Sequence, residues 1–531
     1  MEENARGSRS DARRQQVYAV RVRAAENERS KPLAVQRVNG DEERFANHIA
    51  SFSKCLPHNE LGEVDRAVYA DLVRAIDFGR ISDFEGLATQ SRFRLASPLG
   101  GGTFSLAGPD ARSIAIPPPP PFGSAEMAAE MLELYWMALL RDVPFEKYKD
   151  DPLAAAAAEE LSQFSKSVTD SERAPVSAPT LFLADYPGIS DGPRISQLVL
   201  WSFEFDGIPV EQRRATPLAV VGEHGVEFLT AYGEWLWAQR GYPGNAPIGQ
   251  PPMDPQVRFI RNGRDLGWFA DQSSVNTTYL NAGLLLLQFG KEALNEANPY
   301  KHTRVIGGLG SFDIAHLENL LGHSANAHHF CNQKWLHRRL RPEAFSGRVH
   351  NHLNGSAKYP INDRLLNSKV LPRIYDHNAE VNRRRGMENP KGSYLLPCLW
   401  GEGCATHPSY PQGHGTAAGI GATLLKAWFD ENFVIPESLA VAPSTDGTGL
   451  APYKYGRDGP PLTIGGELNK LAYNVTWGRN MSGVHYLSDG VAANRLGEEI
   501  AVQLLHEDRQ TASERFGGFA FTRFDGTKVT A

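Results

Sequence analysis

Cysteine is scarce. Four residues in 531, Cys55, Cys331, Cys398 and Cys404, are too few for a disulfide scaffold, and no two form the Cys-x-x-Cys spacing that suggests zinc. The expected state is reduced and structural, with one Cys398–Cys404 bridge left open as an alternative across a glycine-rich turn. Long hydrophobic runs are missing too. The most apolar stretch, LNAGLLLLQF from Leu280, is half the ~20 residues that a bilayer helix needs, so it reads as a buried core helix. The N-terminus, MEENARGSRSDARRQQVY, has basic residues but no apolar segment of a secretory signal. These absences make a soluble, cytoplasmic chain without a membrane association the expectation. Nor is there an excess of positive charge. With 55 Lys and Arg against 61 Asp and Glu, the net charge is −6, which leaves no electrostatic footprint for nucleic acid and makes any anion specificity local.

What the chain does have is 41% apolar and 10% aromatic content, enough for a large core. Helical patterns outnumber plausible strands several to one, no repeat of fixed period is visible, and no interdomain linker stands out. The expected fold is mainly α, a large helical bundle holding an oxyanion pocket, with a few short β-hairpins. Residues 1–45 read as an arm or solvated helix suited to an intersubunit role, with a frayed tail as the alternative, and 46–531 as a single α-helical domain whose motif-bearing part is 312–506.

Along that domain, FRLASPLGGGTFSLAGPDARSIAIPP suggests a small hairpin, and the prolines from Pro117 to Pro121 an extended segment. Ser124 is placed to cap a helix through AEMAAEMLELYWMALLRDV. Further helices are expected at DPLAAAAAEELSQF, at GVEFLTAYGEWLWAQRG and around Leu280. DIAHLENLLGHSANAHHFCNQKWLHRRLRP is long enough for one central helix closed by Pro342. The Asn- and Arg-rich stretch from Pro342 to His407 reads as an irregular lid or channel wall, and Asp525-Gly526 as the turn of a last hairpin. Histidines 323, 328, 329 and 337 are crowded, but they lack the i, i+4 spacing of a helical zinc pair and read as satisfied helix residues.

Three short segments carry polar residues that make sense if they meet around one oxyanion. In KWLHRRLRP, Lys334 and Arg341 are seven apart and would share a helix face, with Arg338 between them. In HPSYPQGHG, His407 and His414 sit in a loop whose glycines allow close backbone approach, ahead of a helix whose N-terminus offers N–H groups to an anion. In WGRNMSGVHYLSD, Ser482-Gly483 would break a helix so that Arg479 and His485 both turn inward. His485 and Asp489, at i and i+4, would let the carboxylate fix the imidazole tautomer.

This order and spacing resemble the superfamily shared by vanadium-dependent haloperoxidases and type 2 phosphatidic acid phosphatases. The family pattern stands here as Lys334 to Arg341-Pro342, then Pro411-Gln412-Gly413-His414, then Gly478-Arg479 to His485 to Asp489. Gln412 and Gly478 replace the family's serines. His407, seven residues before His414, and the runs HPSYP, GRNMSGVHY, ELYWMALLRDVPF and NGRDLGWF are similar to the bromoperoxidase branch, a likeness running from about Ala50 to the end.

The resemblance implies a vanadate cofactor, with neither haem nor flavin. It implies His485 as the vanadium ligand with Asp489 behind it, and Lys334, Arg341, Arg479, the Gly413 N–H and the Gln412 amide on the vanadate oxygens. It makes His414 the acceptor of a proton from hydrogen peroxide and Lys334 the group that polarises the peroxide for attack by halide. His407 inclines the reading toward bromide and iodide over chloride. The implied partners are hydrogen peroxide, halide, a small organic acceptor and further copies of the chain, from dimer to dodecamer. Two other functions stay open: a soluble phosphatase with His485 as phosphoryl acceptor, and a helical protein that only binds phosphate.

Overall fold

The computed structural model describes residues 2–165, 176–205, 207–219, 226–274, 276–325, 328–388 and 390–531. Among them the strands form three antiparallel two-stranded ribbons: Phe203–Phe205 with Ile208–Val210, Val441–Pro443 with Leu450–Pro452, and Ala520–Thr522 with Lys528–Thr530. The rest of the regular structure is helical, as the patterning predicts. No helix among these residues is long and apolar enough to cross a membrane.

The centre is built from Gly413–Trp428, Ile464–Met481 and Leu487–Arg509, which pack on one another, with Gly263–Gln272 and Ala125–Leu140 against the second of them. Ile464–Met481 is buried on nearly every face, which explains why its sequence shows no amphipathic stripe. Trp477, fully buried on that helix, stacks on Phe145 with ring centroids 4.6 Å apart. Close approach also accounts for one departure from the family pattern. A Cβ at Gly478 would stand 2.6 Å from the Leu266 carbonyl oxygen of Gly263–Gln272, so serine has no room there.

Ser124 caps Ala125–Leu140, accepting from the Met127 N–H, and Pro152–Ser165 and Thr277–Leu287 form where expected. The last hairpin forms too, with Phe521 opposite Val529. The third expected helix is confined to Tyr232–Gln239, and its expected start at position 225 lies outside the described residues.

Three other expectations fail. The stretch 93–118 makes no hairpin. Gly100–Gly102 is a 3-10 turn laid against the His328–His337 helix, where a Cβ at Gly101 would come within 2.6 Å of Asn332 Cα, so helix packing replaces strand pairing.

The single helix expected up to Pro342 is also divided. Ile314–Gly322 and His328–His337 are separate, with 326–327 between them outside the described residues. Arg338 then adopts a left-handed φ of 44°, and Pro342 opens the next helix, Pro342–Leu353. Proline has no N–H to lose at a first helical position, so it starts this helix and does not close the one before.

Finally, 342–407 is not irregular throughout: it carries the helices Pro342–Leu353, Asp363–Leu366 and Val370–Arg384. Its asparagines are interior fasteners. Asn378, fully buried, donates to the Ser393 and Leu395 carbonyls and Asn382 to that of Lys391, which pins the returning chain. The Glu2–Ser30 helix has no buried residue from Ser10 onward, and Lys31 just after it donates to Gln503 at 2.7 Å.

Candidate active site

The three segments converge, and backbone carbonyls do much of the joining. Lys334 Nζ donates to the Pro408 and Ser409 carbonyls at 2.9 and 3.3 Å. Arg341 Nε donates to the His407 carbonyl at 2.9 Å and Nη1 to that of Val484 at 2.8 Å. The Gln412 N–H donates to the Asp489 carbonyl at 3.0 Å. Lys334 and Arg341 are on different elements, the first near the end of His328–His337 and the second at the N-cap of Pro342–Leu353. Their spacing along one helix is therefore not what brings them together. Arg338, expected on their face, points elsewhere and pairs with Glu42 at 2.6 Å.

The break at Ser482-Gly483 is as expected. Ile464–Met481 ends there, Gly483 has a φ of 81°, and Leu487–Arg509 begins four residues later. His485 is thereby turned so that Nδ1 lies 2.9 Å from Asp489 Oδ2 and Nε2 lies 2.9 Å from Arg341 Nη1. Burial would raise the Asp489 carboxyl, but Arg339, His485 and Ser409 hold it far below the usual carboxylate range. An ionised carboxylate can only accept, so the hydrogen is on Nδ1 and the lone pair of Nε2 faces the cations. That lone pair is capped by Arg341, which must give way before the nitrogen can bond anything else.

The groups facing Nε2 are crowded with positive charge. Burial and the adjacent Arg341 push the Lys334 ammonium well below its ordinary value, and burial lowers the Arg341 guanidinium as well. Burial with Lys334 and Arg341 keeps His407 neutral, and burial with Arg479 and Lys334 brings His414 down to about 3. His485 is pushed down by burial and Arg341 despite Asp489. The N–H groups of Gly413, His414 and Gly415, in the first turn of Gly413–Trp428, have no intrahelical acceptor and add the positive end of that helix. Like charges held this close favour an anion with several oxygens.

Arg479 joins from Ile464–Met481 and is held by Asp271 of Gly263–Gln272, with Nη1 at 2.6 Å from Oδ1. His407 Nδ1 lies 3.0 Å from Arg341 Nη2 and 3.0 Å from the Pro408 carbonyl. The guanidinium can only donate and the carbonyl can only accept, so Nδ1 can serve one of these two contacts but not both.

Gln412 departs from expectation. It is fully buried, its Nε2 donates to the Thr476 carbonyl at 3.2 Å, and its Oε1 has no partner. Longer than serine, the side chain reaches past the helix N-terminus to the neighbouring helix, and its hydrogen bond is made there and not toward the cation cluster.

Sequence reasoning missed the support behind Asp489. Arg339 donates from Nη1 to Asp489 Oδ1 and from Nη2 to Glu130 Oε2, each at 2.6 Å, and lies over the Tyr486 ring at 3.9 Å. Ser409 also donates to Asp489, and Glu130 accepts from the Ser488 N–H at 2.7 Å. Ser409 stood inside a motif already singled out and was legible. Arg339 was hidden by the assumed unbroken helix, and Glu130, over 200 residues away, has no local signal. Cys398 and Cys404 are free thiols, as are Cys55 and Cys331.

Buried and half-buried neutral histidines set an acid limit on stability. Burial lowers His58 and His414 to about 3 and His337 and His350 to about 4, whereas all four are near 6.5 when unfolded. The unfolded chain binds more protons in that interval, so stability is expected to fall as pH drops from about 6.5 toward 3. Urea midpoints that stay flat between pH 7 and pH 4 would contradict these assignments.

No family model matches the chain. A vanadium-dependent bromoperoxidase of Ascophyllum nodosum is 36% identical over 97% of this chain and 91% of its own length. Those of Corallina officinalis and Corallina pilulifera are each 31% identical over 96% of this chain and 97% of theirs. Among solved structures, the homohexameric second vanadate-dependent bromoperoxidase of Ascophyllum nodosum superposes with a TM-score of 0.87 at 27% identity, covering 97% of this chain and 90% of that one. On identity sustained across nearly the whole length, the chain belongs to the vanadium-dependent bromoperoxidase family.

Proposed function

We propose that the protein is a vanadate-dependent haloperoxidase that uses hydrogen peroxide to oxidise bromide or iodide, in preference to chloride, to hypohalous acid, which halogenates small organic acceptors. The observation that carries this reading is the posture of His485. Its Nδ1–H is spent on ionised Asp489 and its Nε2 lone pair meets Arg341, with Lys334 close enough to act on the ring. That donor set suits a tetrahedral oxyanion bonded to one nitrogen: a neutral imidazole, fixed cations and free N–H groups.

In this reading His485 ligates vanadium and Asp489 keeps its tautomer. Lys334, Arg341, Arg479 and the Gly413 N–H neutralise the oxygens, and Gln412 braces the helix behind them. Bound vanadate supplies a Lewis-acid centre that activates peroxide toward halide without changing oxidation state. His414, held neutral by the cations, is in the state that can take a proton from hydrogen peroxide, and negative charge entering the cluster raises its basicity. Lys334 polarises the peroxide, and His407, set against Arg341, shapes the side on which halide arrives. Assembly into a homo-oligomer is part of the proposal, supported by the hexameric neighbour, with residues 1–45 as an arm onto another copy and 46–531 as the catalytic domain.

The test is a direct comparison on one preparation. Apoprotein loaded with orthovanadate is expected to brominate a phenol dye with bromide and peroxide, and inorganic phosphate is expected to compete during loading. Brisk hydrolysis of aryl phosphate by the apoprotein, with no bromination after loading, would establish the phosphatase instead. Oxyanion binding without either reaction would establish a binder.

A further inference from the structure

Arg479 and His485 are joined by a short link, and three of its carbonyls are taken by residues from other elements. Arg341 Nη1 takes the Val484 carbonyl and the Leu399 N–H takes that of Ser482 at 3.2 Å. The carbonyl of Met481, the last residue of its helix, is taken by Arg141 Nε at 2.6 Å. Arg141 lies 340 positions away, at the C-cap of Ala125–Leu140, and is fully buried. Its Nη2 donates to the Pro397 carbonyl at 3.0 Å, the oxygen that a Cβ at Gly483 would meet at 2.9 Å. Its Nη1 pairs with Glu227, itself buried.

Glu227 is shared. His377 Nε2 lies 2.7 Å from Oε2, and Arg264, which grips Asp142 at 2.6 Å, approaches Oε1 at 3.4 Å. Arg264 opens the helix whose other end carries Asp271, the partner of Arg479. The network therefore braces the link from Arg479 to His485 and the helix that aims Arg479.

We propose that Arg141, anchored by Glu227, is a positioning residue for the oxyanion site: by capping Met481 and Pro397 together it sets where His485 stands relative to Arg479. The inference rests on the oxyanion reading of that site. Planar guanidinium geometry is what the position uses, because three acceptors lie along three directions. An ammonium keeps the charge beside Glu227 but cannot satisfy all three in that fork. A buried ion pair with only a folding role needs the charge and not the fork.

The test separates these roles through equilibrium binding of orthovanadate, and of phosphate, to apoprotein, followed by calorimetry and accompanied by melting curves. Arg141→Lys is expected to weaken oxyanion binding about ten- to hundredfold, with kcat at saturating vanadate reduced far less. Glu227→Gln, which loosens the anchor, is expected to weaken it in the same direction. Glu467→Gln is the matched control, since it breaks the equally buried Lys470–Glu467 pair at the far end of the same helix. It is expected to lower the melting temperature and leave affinity alone. Affinity unchanged in both network variants, or reduced equally in the control, overturns the positioning role. Wild-type protein that binds neither oxyanion overturns the reading of the site itself, and this inference with it.

Discussion

Replacing His485 with alanine is expected to yield a folded protein that retains no vanadium after gel filtration, whereas His414→Ala is expected to keep the metal and lose turnover. The two histidines differ in what surrounds them. His485 is held from behind by Asp489 and presents a lone pair to the cations, so no neighbouring group can replace the bond it makes. Lys334, Arg341 and Arg479 can attract an oxyanion without it but cannot ligate a metal. His414 stands at the mouth of the Gly413–Trp428 helix, kept neutral by burial, Arg479 and Lys334, and in the proposed reaction it takes the proton from peroxide. Loss of a general base costs about a hundred- to ten-thousandfold in rate. Metal analysis of the two purified variants decides the matter, and equal vanadium content in both would refute the assignment.

The second large effect is expected from Asp489→Asn. Every partner of this carboxylate is a donor: Arg339, Ser409, His485 Nδ1 and the Tyr486 N–H. Asparagine keeps the shape but turns an NH2 group toward donors. Arg339 then loses one of its two carboxylates inside the core, and breaking such a buried pair costs about 3 to 5 kcal/mol. The same NH2, set toward His485, favours the tautomer with hydrogen on Nε2 and removes the lone pair offered to vanadium. Both a lower melting temperature and a loss of vanadate binding are expected. A variant with wild-type stability and affinity would show that the carboxylate neither fixes the tautomer nor supports Arg339. Arg339→Met should share the loss of stability, because it leaves Asp489 and Glu130 without their common cation.

Residues close together in sequence were the readable part of the site. The His485–Asp489 contact spans four positions, the helix that opens at Gly413 follows its own loop, and the break at Ser482-Gly483 follows from a glycine with positive φ. Each depends on local backbone preference, which a single sequence carries. Lys334 and Arg341 were correctly paired for an incorrect reason. They meet because both reach the 407–409 loop, and the left-handed turn at Arg338 sends that residue outward and lets Arg339 in.

The sequence by itself determined the mainly helical class and which cations and histidines gather between the three segments, though not the direction of Gln412, whose amide turns to Thr476. Side-chain identity and short-range spacing set these, and neither depends on distant packing. The tertiary structure decided the rest: that Arg339 and Ser409 help hold Asp489 ionised while Glu130 takes the other side of Arg339, that the Gln412 amide turns to Thr476, and that Arg141 caps the link before His485. Contacts such as Arg141 to Met481 or Arg339 to Glu130 join positions hundreds of residues apart. They follow from how whole helices cross, and no local preference in either segment encodes that crossing.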